Sequence, residues 1–269
     1  MSGTSRLRLH VIASGSKGNA AVVEDALTGE CVAIDCGVCA RDFFGGCRNA
    51  GVDSARIRGI LVTHDHIDHT KGLGVVLRGF QRHGLQVPVF ANGATVAASP
   101  VIAPLTCDFD FRDLEAGRAL KLGGMDVLPF RTSHDAAFSC GFRVEAGGDA
   151  LGYLTDSGVV TPEAHEALGR VRILALESNH DVRMLREGPY PYWLKQRIAS
   201  ARGHLSNVQA AEELDRLRWP GLEQVVAMHI SENNNTYPLP VAVLSEVVGE
   251  DDGAPQVRSA FQRLGVSVE

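Results

Sequence analysis

Residues 57–69 read IRGILVTHDHIDH. The first half, Ile57 to Thr63, has the length and branching of a buried strand. The second half gathers three imidazoles and two carboxylates into six positions: His64, Asp65, His66, Asp68 and His69. Histidines two apart share no helix face. On extended chain they point the same way, so His64 and His66 can hold one ion. Asp68 and His69 lie past the bend and can reach a second. Imidazole with carboxylate suits Zn2+ or Mn2+ better than Mg2+, which prefers oxygen alone. The plain alternative is a solvated polar turn in which Asp65 or Asp68 caps a helix. That leaves five ligand-type side chains in six positions without a reason. Asp65 is expected one step behind the ligands, on an imidazole nitrogen or a loop amide.

The same placement recurs along the chain. His134 follows the strand-like MDVLPFRT, Asp156 follows ALGYLT, and His229 follows VVAM. Residues at strand ends along one sheet edge converge in space though far apart in sequence. With the 64–69 cluster they supply ligands for two ions about 3.5–4 Å apart.

Around these anchors the pattern predicts strands at 7–12, 20–24, 31–35, 87–91 and 125–132, and a hairpin whose strands flank Gly147-Gly148-Asp149 and end at Asp156. Further strands are expected at 171–176, ending at Glu177, at 223–228, and weakly at 257–262. Helices are expected over 39–48, from the His cluster to about 82, over 161–169 behind Thr161-Pro162, over 190–202, over 207–218 with Ser206 as cap, and over 240–249. Pro100 and Pro104 cut up 92–104. The opening strand–turn–strand–strand lacks the helix a dinucleotide-binding unit needs, and Gly15 and Gly18 do not make its glycine fingerprint. An α/β architecture follows: two mixed sheets flanked by helices, in a single domain over 1–269, with 249–253 a loop.

Composition agrees. In 269 residues, 45% are hydrophobic and 22% charged, which excludes disorder, collagen and coiled coil as the main state. No apolar run approaches the ~18 residues of a membrane span. The start reads as mature chain beginning with a strand rather than a signal peptide. The six cysteines are expected as reduced thiols and the protein as cytoplasmic; Cys36-x-x-Cys39 reads as a turn beside Gly37. A formal charge of −6 argues against a coat of non-specifically bound nucleic acid, but not against a nuclease whose ions attract phosphate.

The H-x-H-x-D-H run with its spaced His, Asp and His resembles the metallo-beta-lactamase superfamily, and within it the WalJ/YycJ-like branch of exonucleases. The supporting strings are SGSKGN at 14–19, IDCG at 34–37, LVTHDHIDH at 61–69, SHD at 133–135, TDSG at 155–158, ESNHD at 177–181, GPYPYWLKQRIASARGHLSN at 188–207 and HISENNN at 229–235. The resemblance implies an αβ/βα sandwich with two divalent ions, Zn2+ or Mn2+, at one sheet edge. It implies His64, His66 and His134 on one ion, and Asp68, His69 and His229 on the other. Asp156 would bridge them. His204 resembles the non-ligand histidine that faces the scissile phosphate in tRNA-processing and phosphodiesterase relatives, with Glu177 placed to orient it and raise its pKa. Asp68, His204 and Glu177 form the implied catalytic set. A hydroxide made by the ion pair would attack phosphorus, and no covalent nucleophile is needed.

Between 181 and 204, Arg183, Arg186, Lys195, Arg197 and Arg202 face only Asp181 and Glu187. A basic rim would steer a polyanion, and Tyr190, Tyr192 and Trp193 within it can stack on bases. His180, Ser231, Asn233 and Arg197 are the candidate substrate contacts. The branch implies DNA as partner and 5′-to-3′ exonuclease action, although no residue here distinguishes DNA from RNA. Protein partners stay open, a homo-oligomer among them. The alternatives are an RNA nuclease, a small-molecule hydrolase of the same fold (cyclic phosphodiester, thioester or lactam), and a non-enzymatic binding module, which would have lost ligands.

Overall fold

The computed structural model describes residues 6–249 and 251–269. The strands are β1 (Leu7–Ala13), β2 (Ala20–Asp25), β3 (Glu30–Ile34), β4 (Ile57–Leu61), β5 (Val89–Ala91), β6 (Phe111–Asp113) and β7 (Leu120–Leu122). They continue as β8 (Met125–Arg131), β9 (Cys140–Ala146), β10 (Asp149–Leu154), β11 (Ile173–Glu177), β12 (Gln224–Met228), β13 (Gln256–Ser259) and β14 (Val266–Val268). Two mixed seven-stranded sheets result, ordered β14-β1-β2-β3-β4-β5-β6 and β13-β12-β11-β10-β9-β8-β7.

Strand alternation sorts the apolar residues into three layers. Leu7, Leu9, Val23, Val32, Ile34, Phe142, Tyr153, Ala175 and Met228 meet between the sheets. Their neighbours Val22, Cys31 and Ala33 turn outward beneath α1 (Ala40–Asn49). The short α2 (Ile67–Thr70) leads into α3 (Leu73–Arg82), which covers the same face with Leu73, Val76, Leu77 and Phe80, one side of a helix. The next helix, α4 (Gly93–Ala98), is capped by Asn92. On the second sheet Leu154, Leu174, Leu176, Val225 and Ala227 turn outward. They pack under α5 (Pro162–Leu168), capped by Thr161. Helices α6 (Val182–Glu187) and α7 (Tyr192–Ile198) precede α8 (Asn207–Leu217) and α9 (Pro238–Val248), which complete that layer. A reciprocal capping box of Ser206 and Gln209 starts α8. The β9–β10 hairpin turns on Gly147 and Gly148, both at positive φ (57° and 87°), as a two-residue turn matching strand twist demands.

Several boundaries differ from the sequence reading. The helix expected from the His cluster to 82 is two helices, because the Gly72 amide donates to Cys36 O at 2.8 Å and pins the chain there. The helix expected over 190–202 stops at Ile198, and the His204 amide turns back onto Ile198 O at 2.9 Å. The hairpin's second strand ends at Leu154, not Asp156, and the strand expected at 171–176 runs Ile173–Glu177. The weak strand expected at 257–262 is Gln256–Ser259, while β6, β7, β14 and α6 were not anticipated. Of the loop expected at 249–253, Glu250 lies outside the described residues, as does the start of the chain.

Candidate metal centre

The C-terminal ends of β4, β10, β11 and β12 share one rim of the sandwich. His64 lies three residues past β4, Asp156 two past β10, Glu177 closes β11 and His229 follows β12. Asp35, Asp156 and His229 each take a left-handed backbone (φ 59°, 53° and 52°), unusual for residues with a Cβ. The turn at each strand end aims the side chain across the rim.

The structure brings the expected ligands together. Ligand atoms of His64, His66 and His134 lie within 4.8 Å of one another, as do those of Asp68, His69 and His229. Asp156 joins His64 and His69 in a third such group, and Glu177, His204 and His229 in a fourth. Its Oδ2 is 3.2 Å from His69 Nε2, and its Oδ1 is 3.7 Å from His134 Nε2 and 3.6 Å from His229 Nε2. Asp156 thus reaches both expected ligand sets, His134 of the first and His69 and His229 of the second.

The groups behind the ligands fix their orientation. His69 Nδ1 bonds Asp35 at 2.7 Å, and His134 Nδ1 donates to Gly203 O at 2.9 Å. His64 Nδ1 is 3.0 Å from Thr63 Oγ1, while Asn179 holds the His229 carbonyl and lies beside its Nδ1. Asp65 accepts from the Ala137 amide at 3.0 Å, so it holds a loop, not an imidazole. Asn19, whose Nδ2 lies beside Asp68 and His69, stands with Asp35, Thr63, Asp135 and Asn179 in the strings quoted above, and the sequence assigns none of them a role. Only Asp35, polar at a strand end like the ligands, carried a legible signal.

Burial holds His64 neutral, its pKa well below the ordinary value, with nearby imidazoles adding to the effect. Burial would also lower His69, but Asp156, Asp35 and Asp68 outweigh it and raise its pKa well above the usual range. A proton and a metal ion therefore compete for that ring. Burial would raise Asp156; the surrounding imidazoles, His229 and His69 first, hold it well below instead. The donor set fits a divalent metal on a further ground. His64 Nε2 is buried and has no hydrogen-bond partner, a lone pair left for an ion.

His204 stands beside this centre. Its Nδ1 bonds Glu177 Oε1 at 2.7 Å. Glu177 is fully buried, and its other oxygen accepts from the Ser157 and Leu205 amides at 2.9 and 3.1 Å. Burial would lower the His204 pKa, yet Glu177 raises it to about 9. Ser133 and Ser157 spend their hydroxyls on the carbonyls of Ala201 and Val159 and offer no nucleophile.

A cleft of about 220 Å³ opens over the centre, and His66, Asp68, Asp156, His204 and His229 line it with Tyr190 and Arg197. Arg197 pairs with Asp135, and Asn233 donates to the Tyr190 hydroxyl at 2.8 Å. Ser231 accepts from the Asn233 and Asn234 amides in a tight turn. His180 does not line this cleft. It is 3% exposed, held down by burial to a pKa of about 4, and faces a separate cavity walled by Val182, Leu185, Tyr192 and Val208. Of the five cations expected on a basic rim, Arg183 and Arg186 pair with Glu187, Lys195 donates to the Arg186 carbonyl beside the separate cavity, Arg202 reaches the His134 carbonyl, and Arg197 alone of the five borders the cleft. Tyr192 and Trp193 project to solvent, 76% and 66% exposed, rather than into the core.

A sandwich with His and Asp ligands along one rim defines the metallo-beta-lactamase class. The beta-lactamase superfamily domain model matches residues 32–230, and the chain belongs to that family. The exodeoxyribonuclease YycJ of Bacillus anthracis is 32% identical over 245 residues, 91% of this chain and 90% of that protein. The exodeoxyribonuclease WalJ of Streptococcus pneumoniae strain D39 is 30% identical over 227 residues, 84% of this chain and 82% of that one. The crystal structure of the metallo-beta-lactamase fold protein YhfI from Bacillus subtilis superposes with a TM-score of 0.73, covering 97% of this chain and 99% of that one at 15% identity.

Proposed function

We propose that the chain is a metal-dependent phosphodiester hydrolase acting on DNA as a 5′-to-3′ exonuclease. The carrying observation is Asp156, 3.7 Å from His134 on one side and 3.2 and 3.6 Å from His69 and His229 on the other, with the His204–Glu177 pair beside it. His64, His66 and His134 would hold one divalent ion, Asp68, His69 and His229 a second, with Asp156 between them. Zn2+ and Mn2+ both suit the donors. When bound, the ions supply water activation near neutral pH and neutralise phosphate charge.

The chain's own groups do the rest. Glu177 accepts from His204 Nδ1, which leaves Nε2 as the nitrogen that holds a proton for the departing oxygen. The Ser157 and Leu205 amides fix Glu177, so the ring stands oriented before substrate arrives. Glu177 is a positioning residue, and His204 is the catalytic acid. Arg197 and Tyr190 border the cleft where the nucleotide next to the scissile bond would lie. The names of the two curated relatives support DNA as substrate. Six unbridged thiols suit a reducing compartment, and we take the cytoplasm as the site of action.

One observation favours a second reading. The cleft holds only about 220 Å³, a size that suits a small phosphodiester. The test is a panel. Metal-free protein is reloaded with Zn2+ or Mn2+ and given 5′-labelled single- and double-stranded DNA, matching RNA, and bis(p-nitrophenyl) phosphate. Release of nucleotides from the DNA 5′ end supports the proposal. Turnover of the small ester alone, with every polynucleotide untouched, supports the second reading instead.

A further inference from the structure

On the side of the metal loop away from α7 lies a groove of about 840 Å³, between α1, β1 and the 262–267 turn. Lys17, Arg41, Lys71 and Arg263 line it, against one carboxylate, Asp42. The chain as a whole carries a formal charge of −6, so this concentration of cations runs against the average. All four side chains are exposed. Lys17 meets Glu232 at 2.5 Å, and the Lys71 ammonium donates to the Lys17 carbonyl at 2.7 Å. Arg41 bonds its neighbour Asp42 through Nε at 3.1 Å, and Arg263 makes no direct ion pair among the described residues, though it stands near the same carboxylate. Arg263 and the terminal nitrogens of Arg41 therefore remain for an incoming anion.

The groove adjoins the cleft. Ser16 lines the cleft and Lys17 the groove, so one turn of chain separates them. Gly37 and Val38 in the groove wall follow Cys36, whose amide donates to the carbonyl of His69 at 2.9 Å. The metal loop and the groove wall are one hydrogen-bonded unit.

We propose that this groove carries the sugar–phosphate backbone of single-stranded nucleic acid running away from the cleft, a reading that rests on the proposed phosphodiesterase function. The cleft has room near the scissile bond only, so the strand beyond it needs a separate track. A line of exposed cations is what a phosphate chain requires, and it asks for no particular base. Single strands fit because the track starts at a narrow cleft, which a duplex would have to unpair to enter.

The experiment measures anisotropy of a fluorescein-labelled oligothymidine with the full-length chain, in chelator so that nothing is cut. It compares wild type with Arg41→Ala/Arg263→Ala, and with a control pair, Arg112→Ala/Arg118→Ala, near β6 at the opposite edge of the same sheet. The groove pair weakens binding on the order of tenfold and lowers the slope of log affinity against log salt by about 1.4, at about 0.7 for each charge removed. The control pair leaves both unchanged. Turnover of bis(p-nitrophenyl) phosphate with metal restored is the same in all three proteins. Unchanged binding in the groove pair, or an equal loss in the control pair, overturns the inference. A duplex bound more tightly than the single strand, with the same dependence on Arg41 and Arg263, overturns its single-strand part. Wild-type protein that binds through the groove yet cuts no phosphodiester keeps the track and refutes the proposed function.

Discussion

The two rims of the sandwich are built to opposite rules. At the rim formed by the N-terminal ends of β1, β10 and β11, Arg172 donates to Asp149 at 2.9 and 2.7 Å and to the Leu7 carbonyl at 2.7 Å. Asp149 in turn accepts from the Arg6 and Leu7 amides, each at 2.8 Å. Opposite charges meet, and one ion pair clamps the two sheets together. At the metal rim, five of the candidate ligands are imidazoles packed edge to face, tilted or stacked, with His64 and His69 ring centroids 4.2 Å apart. There His64 Nε2 has no partner and three non-glycine residues take left-handed backbone. The far rim has one such residue, Arg170 at φ 55°, and one unpartnered buried oxygen, Gln224 Oε1, so strain is denser where the candidate ligands gather.

The largest break in this comparison is Asp156→Ala. It removes the side chain common to both ligand groups, so turnover of bis(p-nitrophenyl) phosphate should fall below detection while urea unfolding stays cooperative. His204→Ala comes next. The rate should drop by about 10²- to 10⁴-fold while bound metal is unchanged, because His204 is outside the ligand set. Metal loss in that variant would make it a ligand instead.

At the other rim, Arg172→Ala leaves the Asp149 carboxylate buried without its counter-charge. Denaturation should show a loss of about 3–5 kcal/mol, with turnover per folded molecule unaffected. Chelation should act on the metal rim alone. Free ion at about 100 times its Kd adds about 2.7 kcal/mol per site to apparent stability, so chelator should withdraw about twice that from wild type and at most one site's share from Asp156→Ala.

The smallest effect is in pH. Burial would raise the Asp149 pKa, but Arg172 and the Leu7 and Arg6 amides outweigh it and hold it below the usual carboxylate value. A carboxylate depressed by folding stabilises the native state above its unfolded pKa of about 3.9, and that contribution fades as pH falls through the lower folded value. The thermal midpoint should therefore decline from about pH 4 downward, and Asp149→Asn should flatten the decline.

The candidate metal rim was legible because its proposed ligands are polar residues set where apolar strands stop, at His64, Asp156 and His229. Those breaks are written in the sequence. The left-handed turn that aims Asp35 at His69 is not, since Asp-Cys-Gly reads as any turn. The far-rim clamp was equally hidden: Asp149 sits in a hairpin turn sequence, and Arg172 meets it across 23 residues only once β10 and β11 pair in parallel. Strands β6 and β7 have three residues each, too few to show a period, and exist because β5 and β8 offer them an edge. His180 sits in the same short string as Glu177, yet Glu177 is buried behind His204 at the metal rim while His180 lines the separate cavity beside α6 and α8, a division set by packing rather than by spacing.

The most direct test is the metal content of metal-replete protein, measured by elemental analysis beside the Asp156→Ala variant. This account predicts two ions per chain in wild type and at most one in the variant. One ion in wild type, or the same content in both proteins, would contradict it.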